Sequence, residues 1–278
     1  LLENIRFFKG EKENCQDLGK KLADLGDIYV FDAFGTAHRE QASTHSAIKS
    51  ASKACAGLLL ERETEFLSKA LNNYDHPYIA VIGGAKVSTK LELIKHINSV
   101  ADQIIVGGGI ANTFLKASGL KIGKSLVEDS MLDIAKDLLV QGKIVLPNVI
   151  ITSKTFEGED IRETSAKDVK DEEMILDLHL SDEILTSLNQ AKTILWNGPM
   201  GVFENKLFSK GTKDLSIAIA NSSAFSIAGG GETLSAINKY IKSDDVSYCS
   251  TGGGAFLEFM EGKNLSSIDV LNSKEIGS

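Results

Sequence analysis

Only three cysteines, Cys15, Cys55 and Cys249, occur in the 278 residues. They are far apart, odd in number and without Cys-x-x-Cys or Cys/His spacing. That excludes a disulfide framework and a cysteine zinc site, and it places the thiols in a reducing compartment. Positive charge is also short: 30 Lys and Arg against 38 Asp and Glu leave a formal net charge of −8. A general nucleic-acid or membrane-surface binder needs a broad positive field, so neither partner is expected. An anionic ligand must therefore be held by local groups. No apolar run approaches the roughly 20 residues that span a bilayer, and no basic-then-apolar leader opens the chain, so a cytoplasmic protein is expected. An initiating methionine is missing too. Leu1-Leu2-Glu3-Asn4 reads as the end of a strand, and a piece of a longer protein is expected.

Two familiar nucleotide signatures are absent. Ser118-Gly-Leu-Lys-Ile-Gly-Lys-Ser125 spaces its glycines too closely for a P-loop and follows a helix rather than a strand. The pairs Gly107/Gly109, Gly229/Gly231 and Gly252/Gly254 lack the third glycine of the dinucleotide fingerprint, Asn112, Leu234 and Leu257 standing in its place.

What is present is a repeated unit. Ala224-Phe-Ser-Ile-Ala-Gly-Gly-Gly-Glu-Thr-Leu-Ser-Ala-Ile237 reads as a buried strand that stops at glycines and opens a helix. Such a turn suits phosphate, because glycine lets the ligand approach the backbone and the helix N-terminus offers free N–H groups. Strands also run into glycine at Tyr78 to Gly84, Gln103 to Gly109, Thr193 to Pro199 and Tyr248 to Gly254. In an open parallel sheet these turns share one edge, where such folds bind ligands. With 42% hydrophobic and 24% charged residues, the chain is long enough for two α/β domains. The break Asn72-Asn-Tyr-Asp-His-Pro77 sets the expected boundary, giving domains 1–76 and 77–278.

Along the chain, Leu1 to Phe8 reads as a strand end. Cys15, Leu18, Leu22 and Leu25 form a helical stripe, and Ile28 to Phe31 a strand. Helices are expected over Ser43 to Cys55 and Glu61 to Asn72. Lys143 to Ile151 reads as one interrupted strand, Ser153 to Glu173 as a solvated segment, and Lys263 to Ser278 as a polar tail. Asp32-Ala-Phe-Gly-Thr-Ala-His-Arg39 puts Arg39 at a strand's carboxyl end, where a guanidinium fork suits phosphate or carboxylate; the plain alternative is that Arg39 pairs with Asp32. Lys86 and Lys90 are four apart and would share one helix face at an N-terminal end, an arrangement the helix dipole disfavours unless an anion neutralises it. In Asn197-Gly-Pro-Met-Gly-Val-Phe-Glu204, Asn197 and Glu204 suit ribose hydroxyls, while Trp196 reads as core.

Taken together, Asp32 to Arg39, Gly83-Gly-Ala-Lys-Val-Ser-Thr-Lys90, Trp196 to Glu204, Gly229-Gly-Gly-Glu-Thr233 and Ser250-Thr-Gly-Gly-Gly-Ala255, with Leu2-Glu-Asn-Ile-Arg-Phe7, resemble the phosphoglycerate kinase family in order and over nearly the whole chain. The resemblance implies an α/β fold of two Rossmann-like three-layer domains with parallel sheets, the N-terminal one incomplete. Residues 1–76 would be the remainder of a phosphoglycerate-binding domain with its linking helix, and 77–278 the nucleotide-binding domain with a C-terminal tail.

The implied reaction is phosphoryl transfer between 1,3-bisphosphoglycerate and ADP, in line and after hinge closure, by a monomer using Mg2+ with ATP/ADP. Arg6 and Arg39 correspond to substrate ligands. Lys90 corresponds to the lysine at the transferred phosphoryl, supported by Lys86. Asn197, Glu204, Gly230, Gly231, Glu232 and Thr233 correspond to nucleotide ligands. Glu232 also corresponds to the magnesium ligand, although the family has an aspartate there. The family's first part is absent from this chain, so these 278 residues alone are expected to bind nucleotide weakly and to catalyse negligibly. The chemistry agrees with the resemblance: a carboxylate needs no general base to attack phosphorus, and the protein need only align and neutralise. The alternatives are an NAD-dependent Rossmann dehydrogenase and a non-catalytic nucleotide-binding module.

Overall fold

Every residue of strands Tyr78–Ile82 and Thr193–Asn197 is buried, as expected where helices cover both faces of a parallel sheet and the usual in-out alternation is lost. In the computed structural model, which describes residues 1–275, the chain forms two units: 1–69 with 250–278, and 70–249.

In the first unit a short 3-10 turn at Ile5–Phe7 stands where a strand end is expected. Helix α1 (Gln16–Ala23) buries Gly19 and Ala23, whereas Leu25 is exposed, so the packed face is set by the small residues. Strands β1 (Tyr29–Phe31) and β2 (Ala54–Ala56) pair in parallel. The helix expected over Ser43 to Cys55 is split: a wide turn at Ala42–Ser46 leads into α2 (Ala47–Ser50), Ala51 is extended, and Cys55 lies in β2. Helix α3 (Leu58–Asn72) is capped from outside, Leu60 N–H donating to Asp32 Oδ1 at 2.9 Å. Asp32 is thus a helix cap, and its pairing with Arg39 is not what organises the loop.

The second unit carries a sheet in the order β11-β10-β9-β3-β4-β5. In chain order its elements are β3 (Tyr78–Ile82), α4 (Leu91–Val100), β4 (Gln103–Val106), α5 (Gly108–Ala117), α6 (Leu132–Val140), β5 (Ile144–Val145), α7 (Asp182–Gln190), β9 (Thr193–Asn197), α8 (Lys210–Asn221), β10 (Phe225–Gly229), α9 (Gly231–Tyr240) and β11 (Tyr248–Ser250). Ile79, Val81, Ile105, Ile194 and Trp196 form its core.

Between β5 and α7 the chain builds a second sheet, with β6 (Val149–Ser153) flanked antiparallel by β7 (Arg162–Ser165) and β8 (Met174–His179). The run Lys143 to Ile151 therefore serves two sheets, and the segment read as solvated contains β7. Arg162 clamps Glu173 through two nitrogens at 2.9 Å, the bidentate geometry that makes such pairs strong.

Beyond β11 come α10 (Gly254–Met260) and α11 (Ser266–Glu275), so the expected polar tail is helical; residues 276–278 lie outside the described residues. Leu265, Val270 and Leu271 are buried there. Ser267 N–H donates to Ala37 O at 3.0 Å, and its hydroxyl donates to Thr44 O at 2.6 Å. These contacts return residues 250–278 to the first unit, whereas the sequence expectation grouped them with everything after 76.

Candidate functional site

Four of the glycine turns lie at the carboxyl ends of β3, β4, β9 and β10 in the second unit, and that after β9 is the hub. Asn197 O accepts from Gly83 N–H at 3.0 Å, tying β9 to β3. On the other flank Asn197 Nδ2 donates to Gly229 O at 2.7 Å, and Gly198 N–H donates to Thr233 Oγ1 at 2.8 Å. Packing here is backbone against backbone: a methyl on Gly83 would land on the Pro199 carbonyl, which is why no Cβ is tolerated at this crossing.

Lys90 is stretched over this hub. Its Nζ donates to Gly83 O at 2.8 Å and to Asn197 O at 3.0 Å. Burial of the ammonium lowers its pKa to about 8, against the opposing pull of Glu232. The two lysines do not share a helix face: α4 begins at Leu91 with Lys90 as its N-cap, and Lys86 is an exposed loop residue. That loop is pinned at Ser88, whose N–H donates to Glu128 Oε2 at 2.8 Å and whose hydroxyl donates to Oε1.

Helix α9 starts at Gly230, whose φ of +94° is a backbone conformation that glycine adopts without strain. Gly231 and Glu232 are exposed and Thr233 is buried. This first turn, with its free N–H groups and the positive end of the helix dipole, adjoins the hub through Thr233 and Gly230.

Beside it a cavity of about 180 Å³ is lined by Gly84, Gly108, Gly109, Leu126, Phe156, Met174, Ile175, Leu176, Pro199, Val202, Glu204 and Glu232 among others. Its walls are largely apolar, with carboxylates at Glu204 and Glu232, the usual character of a site for a flat organic group bearing a polar end. The structure thus brings Lys90, Asn197, Glu204, Gly230, Glu232 and Thr233 together at one sheet edge. The apolar walls were missed by sequence reading. Phe156, 54% exposed within a highly charged segment, was the available signal.

Arg6 and Arg39 belong to the first unit. Arg6 is exposed. Arg39 is held through its backbone, its N–H donating to Thr36 O at 2.9 Å and its carbonyl accepting from Thr44 Oγ1 at 2.5 Å. The fifth glycine turn belongs to this unit as well: a methyl on Gly252 would meet the Phe34 ring, and one on Gly254 would lie 3.2 Å from His38 Nε2. Burial, the main cause, holds the His38 imidazole below its usual pKa, with Glu258 opposing and Arg39 reinforcing it.

A parallel sheet edge carrying amide-rich turns and a half-buried ammonium belongs to the α/β phosphotransferases. The chain is a member of the phosphoglycerate kinase family, whose model (Phosphoglycerate kinase) matches residues 1–263. It is 53% identical over 274 residues to the phosphoglycerate kinase of Blochmanniella floridana, covering 98% of this chain and 68% of that protein. It is 50% identical over 277 residues to that of Haemophilus influenzae (strain PittGG), covering 99% and 72%.

Among solved structures, phosphoglycerate kinase from Coxiella burnetii matches with a TM-score of 0.92 at 47% identity, over 98% of this chain and 72% of that one. Phosphoglycerate kinase from Pyrococcus horikoshii OT3 matches with a TM-score of 0.81 at 32% identity, over 97% and 71%. The dehydrogenase reading is not favoured. Among the described residues no helix is long and apolar enough to cross a membrane.

Proposed function

We infer that the second unit binds ADP or ATP at the β3/β9/β10 edge, as the nucleotide-holding part of the family's phosphoryl transfer between 1,3-bisphosphoglycerate and ADP, which gives 3-phosphoglycerate and ATP, and that these 278 residues alone catalyse it negligibly. The observation that carries the reading is the convergence of Lys90 and the first turn of α9 on the Asn197 hub, next to an apolar cavity that ends in Glu204. The cavity takes the base, Glu204 the ribose, and Gly230, Gly231, Thr233 and Asn197 the phosphates. Arg6 and Arg39 hold the phosphoglycerate, each a guanidinium fork suited to carboxylate and phosphate.

Among the described residues no three His, Cys, Asp or Glu side chains cluster as a metal cage. Mg2+ is usually held by one or two carboxylates together with substrate phosphates. Glu232, on the cavity wall, is the side chain that would hold it, and the ion would neutralise phosphate charge when bound.

The chain's own task is alignment. The acceptor is already an anion, so no side chain has to remove a proton from it, and the rate comes from positioning and charge stabilisation. Lys90, whose pKa of about 8 leaves it mostly cationic at neutral pH, leaves its two carbonyls for the transferring group, with Lys86 supporting from the loop. The working form is a cytoplasmic monomer.

Titration calorimetry with Mg-ADP on the wild type, K90M and T233V tests the binding half: binding by the wild type that weakens in both variants supports it, and affinity indifferent to both substitutions rejects it. Phosphorus NMR of ATP with 3-phosphoglycerate tests the chemistry: negligible turnover is expected of the 278 residues alone, and turnover at ordinary kinase rates rejects that expectation.

A further inference from the structure

Strand β8 carries a carboxyl group that the nucleotide reading does not use. Asp177 is 2% exposed, and its Oδ2 accepts from Gly211 N–H at 3.0 Å. Ser209, the residue preceding α8, makes no side-chain cap, so the first turn of α8 is capped by a residue from another element. Oδ1 faces the neighbouring glycines: a methyl on Gly201 would come within 2.5 Å of it and one on Gly211 within 2.6 Å. That oxygen has no hydrogen-bond partner among the described residues.

The same two supports carry the cavity loop. Val202 N–H donates to Leu176 O at 2.8 Å on β8, and Met200 N–H donates to Thr212 Oγ1 at 3.0 Å, one residue past the capped Gly211 on α8. Pro199, Gly201, Val202 and Glu204 form one wall of the cavity, and Met174, Ile175 and Leu176 form the next. Asp177 is the side chain that joins strand to helix beneath both walls. Burying a carboxyl group is costly unless it is hydrogen-bonded, and burial, the main cause, raises its pKa to about 7.

We propose that Asp177 is a positioning residue for the nucleoside end of the cavity: it locks α8 to β8 and so fixes the loop carrying Val202 and Glu204, leaving the phosphate end at Lys90, Asn197 and α9 untouched. The inference rests on the nucleotide reading and goes beyond it in separating the two ends of the site. Small displacements of a binding group are enough to lose affinity.

The test is titration calorimetry of the 278-residue chain with adenosine, Mg-ADP and inorganic tripolyphosphate. D177A is expected to weaken adenosine and Mg-ADP about tenfold while tripolyphosphate stays within about twofold. D177N keeps an acceptor oxygen for Gly211 and is expected to stay within about threefold of wild type throughout. Unchanged adenosine and Mg-ADP affinity in D177A, or an equal loss for tripolyphosphate, overturns the proposal. Should D177A fail to fold, D177S, whose hydroxyl is too short to reach Gly211, replaces it with the same expectations. A wild type that binds none of the three compounds defeats the nucleotide reading instead. Backbone amide exchange at Gly201 and Val202 then still decides the brace: faster in D177A or D177S supports it, and unchanged overturns it.

Discussion

The ammonium of Lys90 and the backbone carbonyl of Asn197 lie 3.0 Å apart, and the same carbonyl accepts the Gly83 N–H at 3.0 Å. A cation hydrogen-bonded to neutral carbonyls in a half-buried place is under-solvated, which is why its pKa falls to about 8 despite the pull of Glu232. A phosphate arriving there restores the charged form. At pH 8, Mg-ADP binding is therefore expected to take up about half a proton. Calorimetry in buffers of different ionisation enthalpy measures this uptake, and K90M should abolish it.

Gly230→Ala would be strained at φ +94° and would place its methyl 2.8 Å from Asn197 Nδ2. A loss of about 1–3 kcal/mol of stability is expected, with weaker ADP binding because the Asn197 amide must move. Urea unfolding and calorimetry on the same sample check both.

For Asp177 the sign of the pH effect follows from its folded-state pKa of about 7, raised from 3.8 chiefly by burial, with Asp214 adding to it and backbone N–H groups opposing. The folded state holds the proton more tightly. Its contribution is complete below the unfolded value and is lost as pH rises through about 7. Relative to D177N, the wild type should lose on the order of 3 kcal/mol between pH 4 and 7.5, then stay level. Denaturant midpoints across that range provide the measurement, and a difference independent of pH counts against the assignment.

Glu204 is an exposed side chain on the cavity wall, so removing it should leave stability within about 0.5 kcal/mol. E204A is expected to weaken Mg-ADP about tenfold through lost hydrogen bonds to the sugar. A thermal melt and a binding isotherm separate the two effects.

The glycine turns were legible because each is a local event: an apolar run, a residue without Cβ, then a helix start. Lys86 and Lys90 were singled out for the same reason, yet their geometry was misjudged because α4 begins one residue beyond Lys90. Strand β7, Arg-Glu-Thr-Ser, gives no hydrophobic signal, and its stability comes from β6 and the Arg162 clamp. The break between α2 and β2 depends on pairing with β1, a tertiary partner that outweighs local helix preference. Asp177 could not be read as a cap, since Gly211 is 34 residues away. The apolar cavity was hidden likewise, its walls being drawn from segments that meet only in the folded unit.

The second unit is a single uninterrupted stretch, 70–249, whereas the first is made from both flanks, 1–69 and 250–278. During synthesis the interior stretch has its whole core available before Ser267 emerges to meet Ala37 and Thr44. A chain cut after residue 249 would keep the interior unit's core and leave the outer one without the buried Leu265, Val270 and Leu271.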